Sequence, residues 1–230
     1  MSDDGCGASR ARRRFSRRAG TIGDPDCQRS FTVPCRLRVL TPSEQVVAIG
    51  ELASKVVPAK LSVESGSDAA WEELLLAHPD GREIALIERN VVSPGSMGEE
   101  ELQEFVEELE LAQPESGARW VRDYLGQVKT IYAIQVLSGA DRKGGWDAIG
   151  AFKSRIWSML GGIIQADHEG FTDEDGYHAV WQFSDTATGP WWMGLLKDGA
   201  WVHFQMELGD REQREAFLRG DVPDGAKPKP

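Results

Sequence analysis

The sequence predicts an α+β fold in which pseudo-duplicated strand, helix and antiparallel-strand modules form a mostly antiparallel sheet with helices on one side. Two observations carry that expectation. Short apolar runs alternate with stretches of helical periodicity, and several runs are joined by Asp-Gly or Pro-Asp-Gly turns that fold a strand back beside its predecessor. The same order of elements is then traversed again after residue 128.

Folding is expected to begin near Arg36, with Arg38-Val39-Leu40-Thr41 leading into a helix. Thr41-Pro42-Ser43-Glu44 has the form of a helix start: Thr41 caps, Pro42 suits the first position and Glu44 reaches back to the cap amide. Val46, Ile49, Leu52, Ala53 and Val56 recur at threes and fours, and Pro58 ends the predicted helix near Val57. Leu61 to Ser65 reads as a strand, and Trp71 to His78 with Glu83 to Arg89 as a hairpin closed at Pro79-Asp80-Gly81. Ser96-Met97-Gly98-Glu99 is a capping box. It opens a helix with Leu102, Phe105, Val106 and Leu109 on one side and seven acids between Glu99 and Glu110, read as a solvated face. Ser116 to Gln127 is a further helix.

In the second half, Thr130 to Leu137 is rich in residues that favour strands and reads as central in its sheet. A helix from Trp146 to Leu160 follows, ended by Gly161-Gly162. Strands are expected at Ile163 to Glu169, Tyr177 to Ser184, Pro190 to Leu196 and Ala200 to Leu208, then an Asp210-capped helix through Leu218. The divisions are a disordered Arg-rich tail at 1–35, a first α+β half at 36–128, a second at 129–220 and a disordered tail of Pro, Gly and Lys at 221–230. Over roughly residues 36–218 this element order resembles the duplicated βαββ modules of gyrase-inhibitor-like ligand-binding domains and, more loosely, the βαβββ modules of glyoxalase-like metal enzymes. The resemblance is one of topology, and fold alone does not carry function.

The net charge of -11 conceals an asymmetry: residues 1–38 hold nine Arg and four Asp, a balance of +5, leaving -16 for residues 39–230. A body of that sign repels phosphate backbones, so nucleic-acid binding is expected only from the tail. No stretch approaches the roughly 20 apolar residues of a membrane span, and no membrane partner is expected. The tail lacks the apolar core of a secretory signal, and Asp3 and Asp4 argue against a transit peptide. Translation from a later start is the alternative reading of this segment. All three cysteines, Cys6, Cys27 and Cys35, lie in it at spacings that match no zinc or redox pattern. A chain with none from residue 36 onward suits a reducing compartment, and the expected location is cytoplasmic.

Three groups of residues invite chemistry. Between Asp167 and His178 the chain packs His168, Glu169, Asp173, Asp175 and His178 closely enough to nominate them as ligands of a divalent ion. No His-Glu-x-x-His or EF-hand pattern accompanies them, so no cofactor is predicted and an exposed turn is the plain alternative. On the strand from Ala200, Trp201, His203, Gln205 and Glu207 alternate with apolar residues and share a face. His203 and Glu207, about 7 Å apart at Cα, are candidates for acid and base. Tryptophan is concentrated as well: Trp146, Trp157, Trp181, Trp191, Trp192 and Trp201 crowd into one stretch. Adjacent strand residues point to opposite faces, so Trp191 and Trp192 are expected to part. Trp181, Trp191, Trp192, Trp201, His203 and Gln205 are the candidate ligand-binding set.

With no Gly-x-Ser-x-Gly, no cysteine in the folded part and no phosphate-binding loop, acyl transfer, kinase and dehydrogenase chemistry lose support. The leading expectation is a regulatory or accessory binding protein with an aromatic groove for a small molecule or peptide. A carboxylate and imidazole hydrolase or lyase, metal-assisted or not, is the first alternative. An interaction or inhibitor module whose acidic helix docks on a basic protein partner is the second.

Overall fold

The computed structural model describes residues 36–229; the Arg-rich segment, its cysteines and its expected disorder lie outside the described residues. The elements run β1 (Arg36–Thr41), α1 (Ile49–Ala53), β2 (Lys60–Ser65), β3 (Glu73–Ala77), β4 (Glu83–Val91), α2 (Met97–Glu108), α3 (Glu115–Leu125) and β5 (Thr130–Val136). After a short 3₁₀ turn come α4 (Gly145–Leu160), β6 (Ile163–Ala166), β7 (Gly170–Phe171), β8 (Pro190–Lys197), β9 (Ala200–Glu207), α5 (Arg211–Leu218) and β10 (Lys227–Pro228). Seven strands form an antiparallel sheet in the order β2-β3-β4-β5-β1-β6-β7, and β10-β9-β8 form a second, smaller one. The α+β class and the mostly antiparallel sheet are as the sequence predicts.

The helices, however, divide between two faces rather than one. Period-two alternation sends Leu37, Val39, Tyr132 and Ile134 into a core with α1 and α4, where Leu52, Ile149, Phe152 and Ile156 are buried. Leu40, Ile131, Ala133 and Ile163 point the other way, into a core with Leu102 and Phe105 of α2 and Val121 and Leu125 of α3. Strands β1 and β5 are therefore buried on both sides, which accounts for the unbroken run Ile131-Tyr132-Ala133-Ile134 in β5. The halves also interleave, with β1 lying between β5 and β6. Their matched hairpins occupy different places: β3–β4 belong to the large sheet, β8–β9 to the small one.

Three local expectations fail for identifiable reasons. The helix predicted to start at Pro42 is reduced to Ile49–Ala53, because side chains from elsewhere take up alternate carbonyls of the segment before it. Thr130 Oγ1 donates to Ser43 O (2.9 Å), Tyr132 OH to Gln45 O (3.0 Å) and Trp71 Nε1 to Val47 O (2.9 Å). Tyr177 to Ser184 is not a strand, since its backbone bonds to Asp173, Trp192, Phe171 and Gln113 in turn rather than to one neighbour. The segment 221–230 is not without structure throughout: Lys227 and Pro228 pair with Gln205 and Phe204 of β9.

One charged group is built into the α2 side. Arg38, 8% exposed, donates from Nε to Glu101 (2.7 Å) and from Nη1 to Gln165 (2.5 Å) and Asp167 (2.7 Å), with Phe105 5.4 Å beneath its guanidinium. Burial works against that charge, and Asp167 and Glu101 outweigh it, holding the guanidinium above its ordinary proton affinity. Glu101 is thus the member of the acidic helix that turns inward. Among the described residues no helix is long and apolar enough to cross a membrane.

Candidate ligand-binding site

The β8–β9 hairpin turns at Asp198 (φ 50°) and Gly199 (φ 79°), the two positive values that a type I′ turn needs. That turn sets a register of Trp192 opposite Gln205, Gly194 opposite His203 and Leu196 opposite Trp201. One face of the hairpin, with Met193, Leu195, Phe204 and Met206, packs on Phe217 of α5. The opposite face carries Trp192, Trp201, His203 and Gln205.

A loop from the large sheet reaches that second face. Asp173 is wholly buried (0% exposed). Its Oδ1 accepts from the amides of Asp175 (3.0 Å) and Tyr177 (2.9 Å), and its Oδ2 lies 2.6 Å from His203 Nε2. A carboxylate is an acceptor, so Nε2–H donates and Nδ1 is left as the acceptor of the ring. Tyr177 stacks on His203 at 3.8 Å and 15°, and Trp192 meets Tyr177 edge-on at 6.0 Å. Residue 194 must be glycine for this to close: a Cβ there would lie 2.9 Å from Asp173 Oδ2, 3.3 Å from Tyr177 Cβ and 3.4 Å from His203 Cδ2. Lys229 completes the group, its ammonium 4.7 Å above the Tyr177 ring.

The candidate residues therefore regroup. His203 finds its carboxylate in Asp173 rather than in Glu207, whose Oε1 instead accepts from the amides of Gly189 and Gly209 and holds the end of the hairpin. Trp181 and Trp191 are half-buried against the core of the smaller sheet: Trp181 lies against Phe183 and Phe217, and Trp191 against Phe183 and His178. Trp201 stays on the outer face but packs edge-on against Trp120 of α3 at 5.1 Å.

The five proposed metal ligands do not come together. His178 Nδ1 accepts from Trp191 Nε1 (3.0 Å) while its Nε2 lies 3.6 Å from Glu169; Asp173 serves His203; His168 and Asp175 are exposed. Among the described residues no three His, Cys, Asp or Glu side chains are grouped to hold a metal ion. Tyr177 and Lys229 escape sequence reading. Tyr177 sits in what reads as a plain strand, and Lys229 in a tail whose composition signals disorder.

Behind Trp120, the Tyr124 ring lies 5.3 Å away, only 4% exposed. Its hydroxyl is buried with no partner among the described residues. Burial, reinforced by Glu174, pushes its pKa from 10.0 up to about 12. Burial does the same to Tyr132, against a smaller opposing effect of Arg89. Folded-state values above the unfolded one mean that stability is fully present below pH 10 and is lost as pH rises toward about 12. In an alkaline titration followed by tyrosinate absorbance, two of the three tyrosines should ionise late in the folded chain and at their ordinary value in denaturant. Coincident titration curves would contradict the burial of these hydroxyls.

No protein-family model, curated protein or solved structure matches the chain. Geometry alone defines its class: an α+β protein with an aromatic and imidazole face on its smaller sheet.

Proposed function

We propose that the chain is a regulatory or accessory binding protein, and that the outer face of β8–β9 is where it binds. The observation that carries this reading is Trp192, 39% exposed and the one Trp, Tyr or Phe side chain among the described residues that is exposed. A large ring left in water beside a fixed imidazole and a glutamine side chain supplies apolar area together with a donor and acceptor pattern, the composition of a small-molecule or peptide site. Its neighbours hold it in place. Asp173 orients His203, Tyr177 covers one side of the imidazole, and Gln205 stands across the ladder from Trp192. The absence of cysteine from residue 36 onward supports a cytoplasmic setting.

Replacing Trp192 with Ala is expected to leave the melting temperature within about 3 °C of the parent, because surface substitutions change stability by roughly 0.5 kcal/mol or less. Trp191→Ala, which removes a half-buried ring packed against Phe183 and His178, is expected to cost about 3 kcal/mol, the lower end of the range for a buried ring. A library of short peptides and small aromatic or basic compounds, screened by tryptophan fluorescence, then tests the face itself. A ligand of this face loses at least about tenfold in affinity in the Trp192→Ala chain. Ligands that bind both chains equally, or equal destabilisation by the two substitutions, would refute the assignment.

The Asp173–His203 bond of 2.6 Å favours a second reading, in which Nδ1 of the oriented imidazole acts as a general base in a hydrolase or lyase. Hydrolysis of a panel of activated esters and amides that survives His203→Ala unchanged would remove it.

A further inference from the structure

Strand β10 lies along the free edge of β9, beside the proposed face. β10 is only two residues long, and one of the two is proline, which has no N–H to offer. Lys229 N extends the pairing by donating to His203 O at 3.1 Å. The Lys229 side chain sets its ammonium 4.7 Å from the centre of the Tyr177 ring, the ring that also stacks against His203. The His203 ring presents its Cδ2 edge to Gly194 of β8, so Nδ1 lies on the edge turned away from β8. A cation over an aromatic face, close to carboxylates, is a recognised mode of binding amines. The proton affinity of Lys229 is raised first by the Tyr177 hydroxyl, and further by Asp175 and Asp173.

So short a strand is a weak anchor. Isolated two-residue pairings with exposed side chains open easily, yet the place they fill combines a strand edge, an aromatic face and nearby negative charge. Resting on the reading of β8–β9 as a binding face, we propose that the β9 edge and the Tyr177 ring receive a lysine-bearing extended segment of another protein, and that the chain's own segment around Lys227 and Lys229 holds this place until it is displaced. Recognition is by strand addition: main-chain hydrogen bonds to β9 supply register, and one lysine seated on Tyr177 supplies selectivity. The tethered tail competes at an effective concentration on the order of millimolar.

The test uses the full chain with Lys227→Glu and Lys229→Glu, both exposed, which unseats the tail without touching the core. An unchanged melting curve establishes that the variant is folded. The probes are the hexapeptide Gly-Ala-Lys-Pro-Lys-Pro and its analogue with norleucine at both lysines, followed by tryptophan fluorescence at about 0.15 M salt so that distant charges are screened. The lysine peptide is expected to bind the variant at least about tenfold more tightly than the parent chain. The norleucine peptide should bind the variant at least about fivefold more weakly than the lysine peptide. Equal binding of both peptides overturns the lysine assignment while leaving the face as a binding site. Equal affinity for variant and parent overturns the tail as competitor, and no binding of either peptide overturns strand addition; in both cases the Trp192→Ala screen still decides the broader reading.

Discussion

Asp173→Ala is expected to lower the stability of the chain by about 3–5 kcal/mol, because it leaves the three donors that the buried carboxylate accepts from without a partner, at about 1–3 kcal/mol each. For a chain of this size that corresponds to a fall in melting temperature of roughly 10 °C. The loss has two parts, since the carboxylate fastens the amides of Asp175 and Tyr177 with one oxygen and His203 with the other. Asp173→Asn separates them. An amide oxygen still accepts from both backbone groups, whereas the amide nitrogen faces His203 Nε2 and forces the imidazole to exchange its tautomer. A loss of about 1–3 kcal/mol is therefore expected for the Asn variant, with the shift confined to the histidine ring signals in nitrogen-detected NMR. If both variants melt like the parent, Asp173 is not the organiser of this face.

Arg38→Met is expected to be comparably damaging, at about 3–5 kcal/mol, because it strands Glu101 and Asp167 beside an apolar side chain. The side chain of Glu101 is nearly as hidden as that of Arg38 (11% and 10% exposed). Water cannot easily replace the lost partner. Combining Arg38→Met with Glu101→Leu should restore much of the loss, since two apolar side chains of similar size remove the desolvation cost along with the attraction. Chemical denaturation of the four members of this cycle measures the coupling; additive effects would show that the pair does not act as a unit.

The parts of the fold that the sequence announces are those governed by neighbours a few residues away. Ser96 accepts from Glu99 N (3.2 Å) and Asp210 from Glu212 and Gln213 N (3.0 and 3.2 Å), so α2 and α5 begin where their caps are written. The separation of Trp191 from Trp192 follows from period two alone. What stays hidden depends on distant partners. The loop before α1 has a helical pattern, but Thr130, Tyr132 and Trp71 claim its carbonyls from other strands. Asp173 and His203 lie 30 residues apart on different elements, whereas Glu207 shares a strand with His203 and is the partner that local spacing suggests. A strand supplies many such pairs at equal spacing, and only the loop that brings Asp173 over Gly194 selects among them.

The position of β1 between β5 and β6 governs how the chain must be made. Val39 takes its partners from Tyr132 on one side and Ile164 on the other, so β1 leaves the ribosome long before either exists. Strand β4 waits too, its second edge bare until β5 arrives. A gene cut after residue 128 encodes a three-stranded meander, β2-β3-β4, with an open edge and an orphaned first strand, material suited to inclusion bodies and not to a soluble half. Laboratories seeking a minimal fragment for the proposed face should therefore keep β1, even though it belongs to the other sheet.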